Sequence, residues 1–299
     1  MTQNVTRLIV AALVLHSFTS TLRADDACGS ESVSPLARAH AHNDYEHERP
    51  LFDALEQGFS SVEADIWLVD GELRVAHDLE NAQPGRTIEA LYLEPLAELV
   101  RANGGTVHPC FQHSLQLLVD IKSEGAPTYR ALHSVLERYA DIMSVFTWGT
   151  ARERAVTAVI SGNRPLELMA RQFVRYAAYD GRSSDLGTDA DAAFIPLVSD
   201  NWTNLFTWTG AGEFPAAEQQ KLQDFVAAAH ESGRRVRFWA TPEDPATREA
   251  IWSALIAAGV DYINTDDLAG LRTFLLANDP HPSEPELDWF GGLNELVKR

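Results

Sequence analysis

Two short stretches of this chain concentrate residue types that can do chemistry. "RAHAHNDYEH" (38–47) alternates His40 and His42, and "SVEADIW" (61–67) places Glu63 two residues before Asp65. On an extended segment, residues two apart share a face. Two carboxylates on one buried face repel each other unless a cation lies between them. "LLVDIK" (117–122) repeats the spacing with Asp120 and Lys122. Taken singly, the first pair reads equally well as a solvated strand end and the second as an in-strand ion pair. Taken together, Glu63, Asp65 and Asp120 form a hard-oxygen ligand set that suits Mg²⁺ or Ca²⁺, with water or substrate oxygens completing the shell. Zn²⁺ would prefer more nitrogen or sulfur.

A further histidine follows in "LVDGELRVAHD" (68–78), where Asp70-Gly71 marks a hairpin that brings the chain back to His77. A two-residue loop pairs His77 with Ala64 and turns it away from the acids. A three-residue loop, Val69 to Gly71 with Gly71 left-handed, pairs it with Glu63 on their shared face, and this is the form expected. Imidazole titrates near neutrality, so His42 and His77 can serve as base and acid in one displacement. With a cation on the three acids and Lys122 beside it, such a site is suited to phosphodiester cleavage.

These residues must be held by something. Eight β-rich runs recur along the chain: 38–42, 61–68, 115–122, 155–161, 174–180, 194–200, 235–241 and 261–266. Segments with helical apolar spacing lie between most of them, at 50–57, 88–102, 127–141, 215–232 and 242–258. Alternation of this kind argues for an α/β fold of the closed (β/α)8 TIM-barrel type, with an open doubly wound sheet as runner-up. No G-x-G-x-x-G follows a strand, so the dinucleotide variant of the open sheet lacks its fingerprint. Barrel chemistry sits where strands end. The ends here supply His42, Glu63 with Asp65, Asp120 with Lys122, Ser161-Gly162-Asn163, Asp180-Gly181-Arg182, Asp200-Asn201, Trp239 and Thr265-Asp266. Arg182, Asn201 and Trp239 are candidates for substrate contact.

The residues from "HNDYEHERPLFDALEQGFSSVEADIWLVDGELRVAHD" onward resemble the glycerophosphodiester phosphodiesterase and phosphatidylinositol-specific phospholipase C-like superfamily, and within it the branch of altered inheritance of mitochondria proteins. The pattern of a His, then Glu-x-Asp, then His-Asp, then an acid two before Lys falls on His42, Glu63 and Asp65, His77 and Asp78, and Asp120 with Lys122. It is dense over residues 38–125 and returns in "VRFWATP" and "GVDYINTDD". The resemblance implies a PLC-like phosphodiesterase barrel and a divalent cation on Glu63, Asp65 and Asp120. It implies acid–base work by His42 and His77, and in some members a cyclic phosphate intermediate. Two departures stand out. Asn43 follows the first His where classical members have Arg, and "EHERPLFDA" replaces their Pro-Glu-Asn-Thr run. An Asp at 120 is shared with sphingomyelinase D-like phospholipases, which leaves glycerophosphodiesters and phospholipid head groups both open as substrate.

Two other readings stand beside this one. An H-x-H metal-dependent hydrolase of the amidohydrolase type needs more histidines at later strand ends. His108, His113, His133, His230 and His281 end none of the candidate strands. A catalytically inactive barrel used as a binding module would be expected to lack part of the pattern, and no position of it is missing. His40 is expected one layer below His42, as a hydrogen-bonded residue rather than a ligand.

Composition bounds the rest. A formal charge of −19 over 299 residues disfavours nucleic acid and anionic membrane as partners. Residues 1–24, with Arg7 ahead of an apolar run from Leu8 to Leu15, read as a signal peptide of a secreted or periplasmic protein, too short for a membrane span. An N-terminal arm (25–36), the phosphodiesterase barrel (37–278) and a proline-broken C-terminal tail (279–299) then follow. Cys28 and Cys110 read equally as one disulfide or as two unrelated thiols.

Overall fold

The computed structural model describes residues 33–109, 111–147 and 150–291. The signal-peptide reading, Cys28 and Cys110 all lie outside the described residues. The elements run in order from β1 (Leu36–Ala41) and α1 (Phe52–Glu56) to the hairpin of β2 (Phe59–Val69) and β3 (Glu72–Val75), then α2 (Glu94–Ala102). Next come β4 (Leu115–Ile121), α3 (Gly125–Arg138), the short hairpin of β5 (Val145–Thr147) and β6 (Thr150–Arg152), and β7 (Val156–Gly162) with α4 (Leu166–Ala170). The chain continues through β8 (Ala177–Gly181), β9 (Leu197–Asn201), α5 (Trp202–Leu205), α6 (Ala216–Glu231), β10 (Arg235–Trp239), α7 (Arg248–Ala257), β11 (Tyr262–Thr265) and α8 (Leu268–Asn278). Strands β1, β2, β4, β7, β8, β9, β10 and β11 pair in parallel in that order, and β11 pairs with β1, which closes the barrel. Strand β3 lies antiparallel on β2 outside the ring.

The eight ring strands match the eight β-rich runs, because parallel strands covered on both faces read as nearly unbroken apolar stretches. The short helices α4 and α5, helix α8 and the β5–β6 hairpin lie outside the segments expected from sequence. Helix α8 follows β11 directly through the Asp267 cap, whose side chain accepts from the Gly270 amide. The β5–β6 hairpin is three residues a side and carries little periodicity. Helix α7 starts at Arg248 and not at Pro242. Ala240 adopts a left-handed conformation after β10, and the backbone turns through Asp244 before the helix begins.

Outward residues of the strands pack against the helices in one continuous core containing Ala39, Ala41, Ala64, Ile66, Leu117, Val119, Ala158 and Ile160. Inward residues are sorted by height. Leu118, Val159, Leu197 and Tyr262 form a separate apolar plug inside the barrel. Above it, towards the C-terminal ends of the strands, the inward positions turn polar: Asp120 follows Leu118, Ser161 follows Val159, and Ser199 follows Leu197. Below it, the described part of the tail covers the other end. The Ala37 amide donates to the Pro282 carbonyl at 2.7 Å, Arg38 pairs with Asp279 at 2.9 Å, and Trp289 stacks on Phe146.

The hairpin corrects one expectation. Its loop has two residues, with Val69 opposite Glu72 and both Asp70 (φ 51°) and Gly71 (φ 84°) left-handed. This is the turn whose twist suits a two-residue hairpin, and Asp tolerates the left-handed position. Continued, that register would set His77 opposite Ala64, facing away from the acids. The ladder ends first. Its last bond runs from the Ala76 amide to the Asp65 carbonyl, and beyond it the chain turns back over the barrel mouth.

A polar lock ties α6 to the sheet: His230 Nε2 lies 2.8 Å from Asp261 Oδ2, which also accepts from the Val236 amide at 2.8 Å. Burial opposes the imidazolium, but the bond to Asp261 together with the Asp261 and Glu286 charges outweighs it and raises the His230 pKa. A histidine whose folded pKa is raised adds stability below the unfolded value, about 6.5, and loses it as pH rises through the folded pKa. The difference in melting temperature between the wild type and His230→Gln is therefore expected to shrink between pH 6 and pH 8.5. Calorimetric scans at the two pH values measure it, and a constant difference would refute the linkage.

Candidate active site

Strand register assembles the site. Asp65 on β2 lies beside Asp120 on β4, which lies beside Ser161 on β7. Ala41 at the end of β1 lies beside both Val62 and Thr265, so the next residue, His42, falls between Glu63 on one side and Asp266 on the other. Residues from β1, β2, β4, β7, β8 and β10, with His77 from beyond β3, surround one cavity of about 290 Å³. Its lining includes His42, Asn43, Glu63, His77, Asp120, Lys122, Ser161, Arg182, Arg237 and Trp239.

Each acid has a different compensation. Glu63 is buried, which opposes its charge. Arg237 at 2.8 Å and His40 at 3.4 Å reverse that effect and hold its pKa well below the usual carboxylate range. Arg237 is itself fixed by Asn264 Oδ1 at 2.9 Å from its Nε. Asp65 is less well matched. Burial, with the Glu63 charge next to it, pushes its pKa up to about 6. Burial likewise raises Asp120. Lys122 bridges these two at 3.0 Å and 3.3 Å, so one ammonium serves two carboxylates.

The distribution of contacts within Asp65 is informative. Its Oδ2 meets the Tyr45 hydroxyl at 2.6 Å, Lys122 at 3.0 Å and His77 Nδ1 at 3.1 Å. Its Oδ1 is buried and has no hydrogen-bond partner. A buried carboxylate oxygen without a partner is costly and calls for an explanation. One oxygen each from Glu63, Asp65 and Asp120 lies within 4.8 Å of the others. Ligands across the shell of Mg²⁺ or Ca²⁺ stand about 4–5 Å apart, twice the usual metal–oxygen distance. The donor set, its all-oxygen chemistry and the orphaned Oδ1 therefore fit a hard divalent cation.

The two histidines of the H-x-H pair have separate environments. His40 is fully buried, with Nδ1 at 2.7 Å from Ser61 Oγ and Nε2 at 3.4 Å from Glu63. Burial, aided by Arg237, lowers its pKa to about 4, so it is a neutral support beneath the site. His42 lines the cavity. Its Nδ1 lies 2.8 Å from Asp266 Oδ1, an acceptor, which places the proton on Nδ1 and leaves Nε2 to the cavity. Burial opposes the charged ring, yet the Asp266 bond and the Glu63 field raise its pKa overall. His77 is mostly exposed and meets the acids only through Nδ1.

On the substrate side, Asn43 has a left-handed backbone, and its Oδ1 accepts from the Tyr45 hydroxyl at 2.8 Å. Arg182 and Trp239 reach the cavity from β8 and β10, with the guanidinium 4.7 Å from the indole centre. Asn201 is not among the lining residues. It sits at the N-terminus of α5, where its side-chain oxygen accepts from the Thr203 amide at 2.9 Å and hydroxyl at 2.7 Å. A short polar residue opening a helix is drawn to its own backbone, and this draws the expected substrate contact at 201 away from the cavity.

Four contributors have partners that local sequence does not assign, although Asp180 and Asp266 stand at candidate strand ends. Arg237 is one of three arginines in "RRVRFW"; it shares a face with Arg235, two residues earlier, and only height along β10 separates the two, since the Arg235 guanidinium lies over Trp289 at the opposite end. Asp266 neighbours His42 only once the barrel closes. Tyr45 and Asp180 touch the site through hydrogen bonds to residues about twenty positions away, Asp65 and Ser161.

The fold and this arrangement of acids, imidazoles and cations define a phosphodiesterase-type barrel. The AIM6-like phosphodiesterase domain family matches residues 29–180, and the glycerophosphoryl diester phosphodiesterase family matches residues 235–269. The chain is 32% identical to altered inheritance of mitochondria protein 6 of Eremothecium gossypii, over 82% of this chain and 71% of that protein. It is 26% identical to the protein of the same name from Kluyveromyces lactis (82% and 74%) and 28% identical to the homolog from Arthroderma benhamiae (79% and 82%). The chain thus belongs to the AIM6-like phosphodiesterase family. These names overturn the expectation of a secreted or periplasmic protein, because they point to a mitochondrial or intracellular role. The physical reason for the error is that residues 1–24, apolar with two arginines and no acids, have a composition that organelle-targeting and export segments share.

Two substitutions test the acid cluster. At pH 7.5 in EDTA, above the pH of about 6 at which Asp65 takes up a proton, Asp65→Asn removes a poorly compensated charge. It is expected to raise the melting temperature by about 2–4 °C, the shift that roughly 1 kcal/mol produces, and to abolish any further rise on adding Mg²⁺ or Ca²⁺. A lower melting temperature would contradict the charge assignment. Gly162 has φ 65°, and a Cβ there would run into Asp120 Oδ1 and the Ile121 backbone. Gly162→Ala is expected to weaken the thermal shift by Mg²⁺ or Ca²⁺ more than tenfold in midpoint concentration. An unchanged midpoint would show that Asp120 does not bear on the ion.

Proposed function

We propose that the protein is a divalent-cation-dependent phosphoric diester hydrolase acting on glycerophosphodiesters or phospholipid head groups by His/His acid–base catalysis. The observation that carries this reading is the convergence of His42, His77 and three carboxylates on one cavity that also presents Lys122. Glu63, Asp65 and Asp120 would hold Mg²⁺ or Ca²⁺, which when bound neutralises phosphate charge and polarises the phosphorus centre. Without the ion, three carboxylates face Lys122 and Arg237 at this end of the cavity, which repels a phosphodiester. A divalent charge added to that set leaves it net positive.

The chain's own groups then have distinct tasks. Asp266 holds the His42 ring with Nδ1–H fixed, so that Nε2 accepts the proton of the attacking oxygen, either water or a hydroxyl of the substrate. As the new P–O bond forms and the bond to the leaving alcohol breaks, His77 delivers a proton to the departing oxygen. The exposure of His77 suits a group that must exchange protons with solvent between turnovers. Lys122 lies against the same phosphoryl oxygens and offsets the charge that grows on them. Attack by a substrate hydroxyl would give a cyclic phosphate, and attack by water an open product.

Hydrolysis of bis(p-nitrophenyl) phosphate, followed by absorbance, tests the reading. Turnover is expected to disappear in EDTA and return with Mg²⁺ or Ca²⁺, and turnover indifferent to chelation would overturn the metal requirement. His42→Asn is expected to reduce kcat by about 10²–10⁴-fold, the usual loss on removing a general acid or base, while the melting temperature changes little. An unimpaired rate would remove His42 from catalysis.

A further inference from the structure

The cavity has a second wall whose chemistry the acid cluster does not explain. In the closed ring, β9 is the fourth strand from β2 in either direction and so stands across the mouth from Glu63 and Asp65. Its two neighbours, β8 and β10, supply Arg182 and Trp239 to the cavity. A diester whose phosphate sits at the carboxylate cluster extends one of its ester arms towards this wall.

Arg182 is firmly placed there. Its Nη1 donates to Asp180 Oδ2 at 2.6 Å and to the Gly181 carbonyl at 2.8 Å, and its Nη2 donates to Ser161 Oγ at 3.2 Å. Asp180 is fully buried, and its oxygens are further engaged by Ser161 Oγ at 2.8 Å and Ser199 Oγ at 2.7 Å. The carboxylate is thus hidden behind the guanidinium, which meets the cavity. The guanidinium also lies over the Trp239 ring at 4.7 Å. An aromatic face is what a quaternary ammonium group uses for recognition. Here that face is already taken by a cation belonging to the protein.

We infer that the Arg182–Trp239 wall is a specificity site for the alcohol arm of the substrate, and that it selects arms bearing a second anionic group, phosphate or carboxylate, against cationic arms such as choline. The inference rests on the phosphodiesterase reading and names the substrate class for that same site. A planar guanidinium matches phosphate and carboxylate oxygens through paired N–H donors. A trimethylammonium group brought to the same place meets like charge, and the Trp239 face on the Arg182 side is already occupied.

Three glycerol diesters that differ in arm charge test this: glycerophosphoinositol 4-phosphate, glycerophosphoinositol and glycerophosphocholine. In the Mg²⁺-loaded wild-type protein, kcat/KM is expected to fall in that order, with at least about tenfold between the first and the last, as like-charge placement at a binding site dictates. Arg182→Gln alone leaves Asp180 buried and unpaired and can unfold the barrel, so the double variant Asp180→Asn with Arg182→Gln is the main comparison. In a folded double variant the ratio is expected to collapse towards unity. Arg182→Lys, which keeps the charge, is expected to retain the order. A wild-type preference for glycerophosphocholine, or an unaltered ratio in the double variant, would overturn the inference.

Failure of the underlying reading looks different. If no diester is turned over, including bis(p-nitrophenyl) phosphate, calorimetric titration with inositol 1,4-bisphosphate and with phosphocholine decides the matter. Tighter binding of the bisphosphate, lost in the double variant, supports the anionic site. Equal binding, or binding unaffected by the variant, defeats it.

Discussion

Three carboxylates held at the inner rim of a barrel, largely out of reach of water, are the constraint around which the rest of this structure is arranged. A buried charge survives only when it is paired and hydrogen-bonded. Glu63 satisfies this within the protein, through Arg237 reaching over from β10 and His40 rising from β1. Asp65 and Asp120 do not, since Lys122 is divided between them and Asp65 Oδ1 meets nothing. The imbalance is local and uneven. One acid is held firmly ionised, while the carboxyl next to it is pushed towards protonation. Such an imbalance is what the proposed cation site requires: part of the negative charge is compensated within the protein, and the remainder would be compensated when the ion binds.

Several features far apart in the chain make sense only against that constraint. Gly162 ends β7 without a side chain because Asp120 Oδ1 occupies the space beside it. Tyr45, at 2.6 Å from Asp65 Oδ2, spends its hydroxyl on a carboxylate at the rim of the cavity and steadies Asn43 as well. The apolar plug of Leu118, Val159, Leu197 and Tyr262 lies directly below in the strand sequence and keeps the interior beneath the acids dry. Because the field under the acids is of low dielectric, the Arg237–Glu63 contact is stronger than a surface pair of the same length.

Sequence pattern reveals those parts of this design that are local. Alternation along β2 places Glu63 and Asp65 on one face, and buried runs announce the eight ring strands. The family motif covers His42, His77, Asp120 and Lys122. What depends on closure of the ring is hidden. Asp266 follows β11 and His42 follows β1, more than two hundred residues apart, and only their parallel register makes them partners. Arg237 is masked by the neighbouring Arg234 and Arg235, which serve a loop and the opposite end of the barrel. The hairpin misleads for a different reason. A loop phased by the acids would face His77 towards them, whereas the turn follows the backbone preference of Asp70-Gly71, and His77 reaches Asp65 only by leaving the ladder. Asn201 shows the opposite failure, a polar residue at the right height whose side chain is claimed by its own helix.

The mouth of the barrel is polarised as a consequence. Acids are concentrated on the β2 and β4 side, and fixed guanidinium groups come from the β8 and β10 side. Arg237 crosses the interior to meet Glu63, so it belongs electrostatically to the acid cluster. Arg182 instead spends part of its charge on Asp180, hidden behind it, and the remainder on the cavity. On the proposed reading, a diester entering this field would be oriented before any specific contact forms, its central phosphate drawn to the acid side once a cation is bound there and an anionic arm drawn to the far wall. A cationic arm would turn the two attractions into one attraction and one repulsion, and the proposed orientation, with phosphorus between His42 and His77, would no longer be the favoured one. On that reading substrate choice and catalytic geometry arise from the same arrangement of charge, fixed by strand order and not by any single residue.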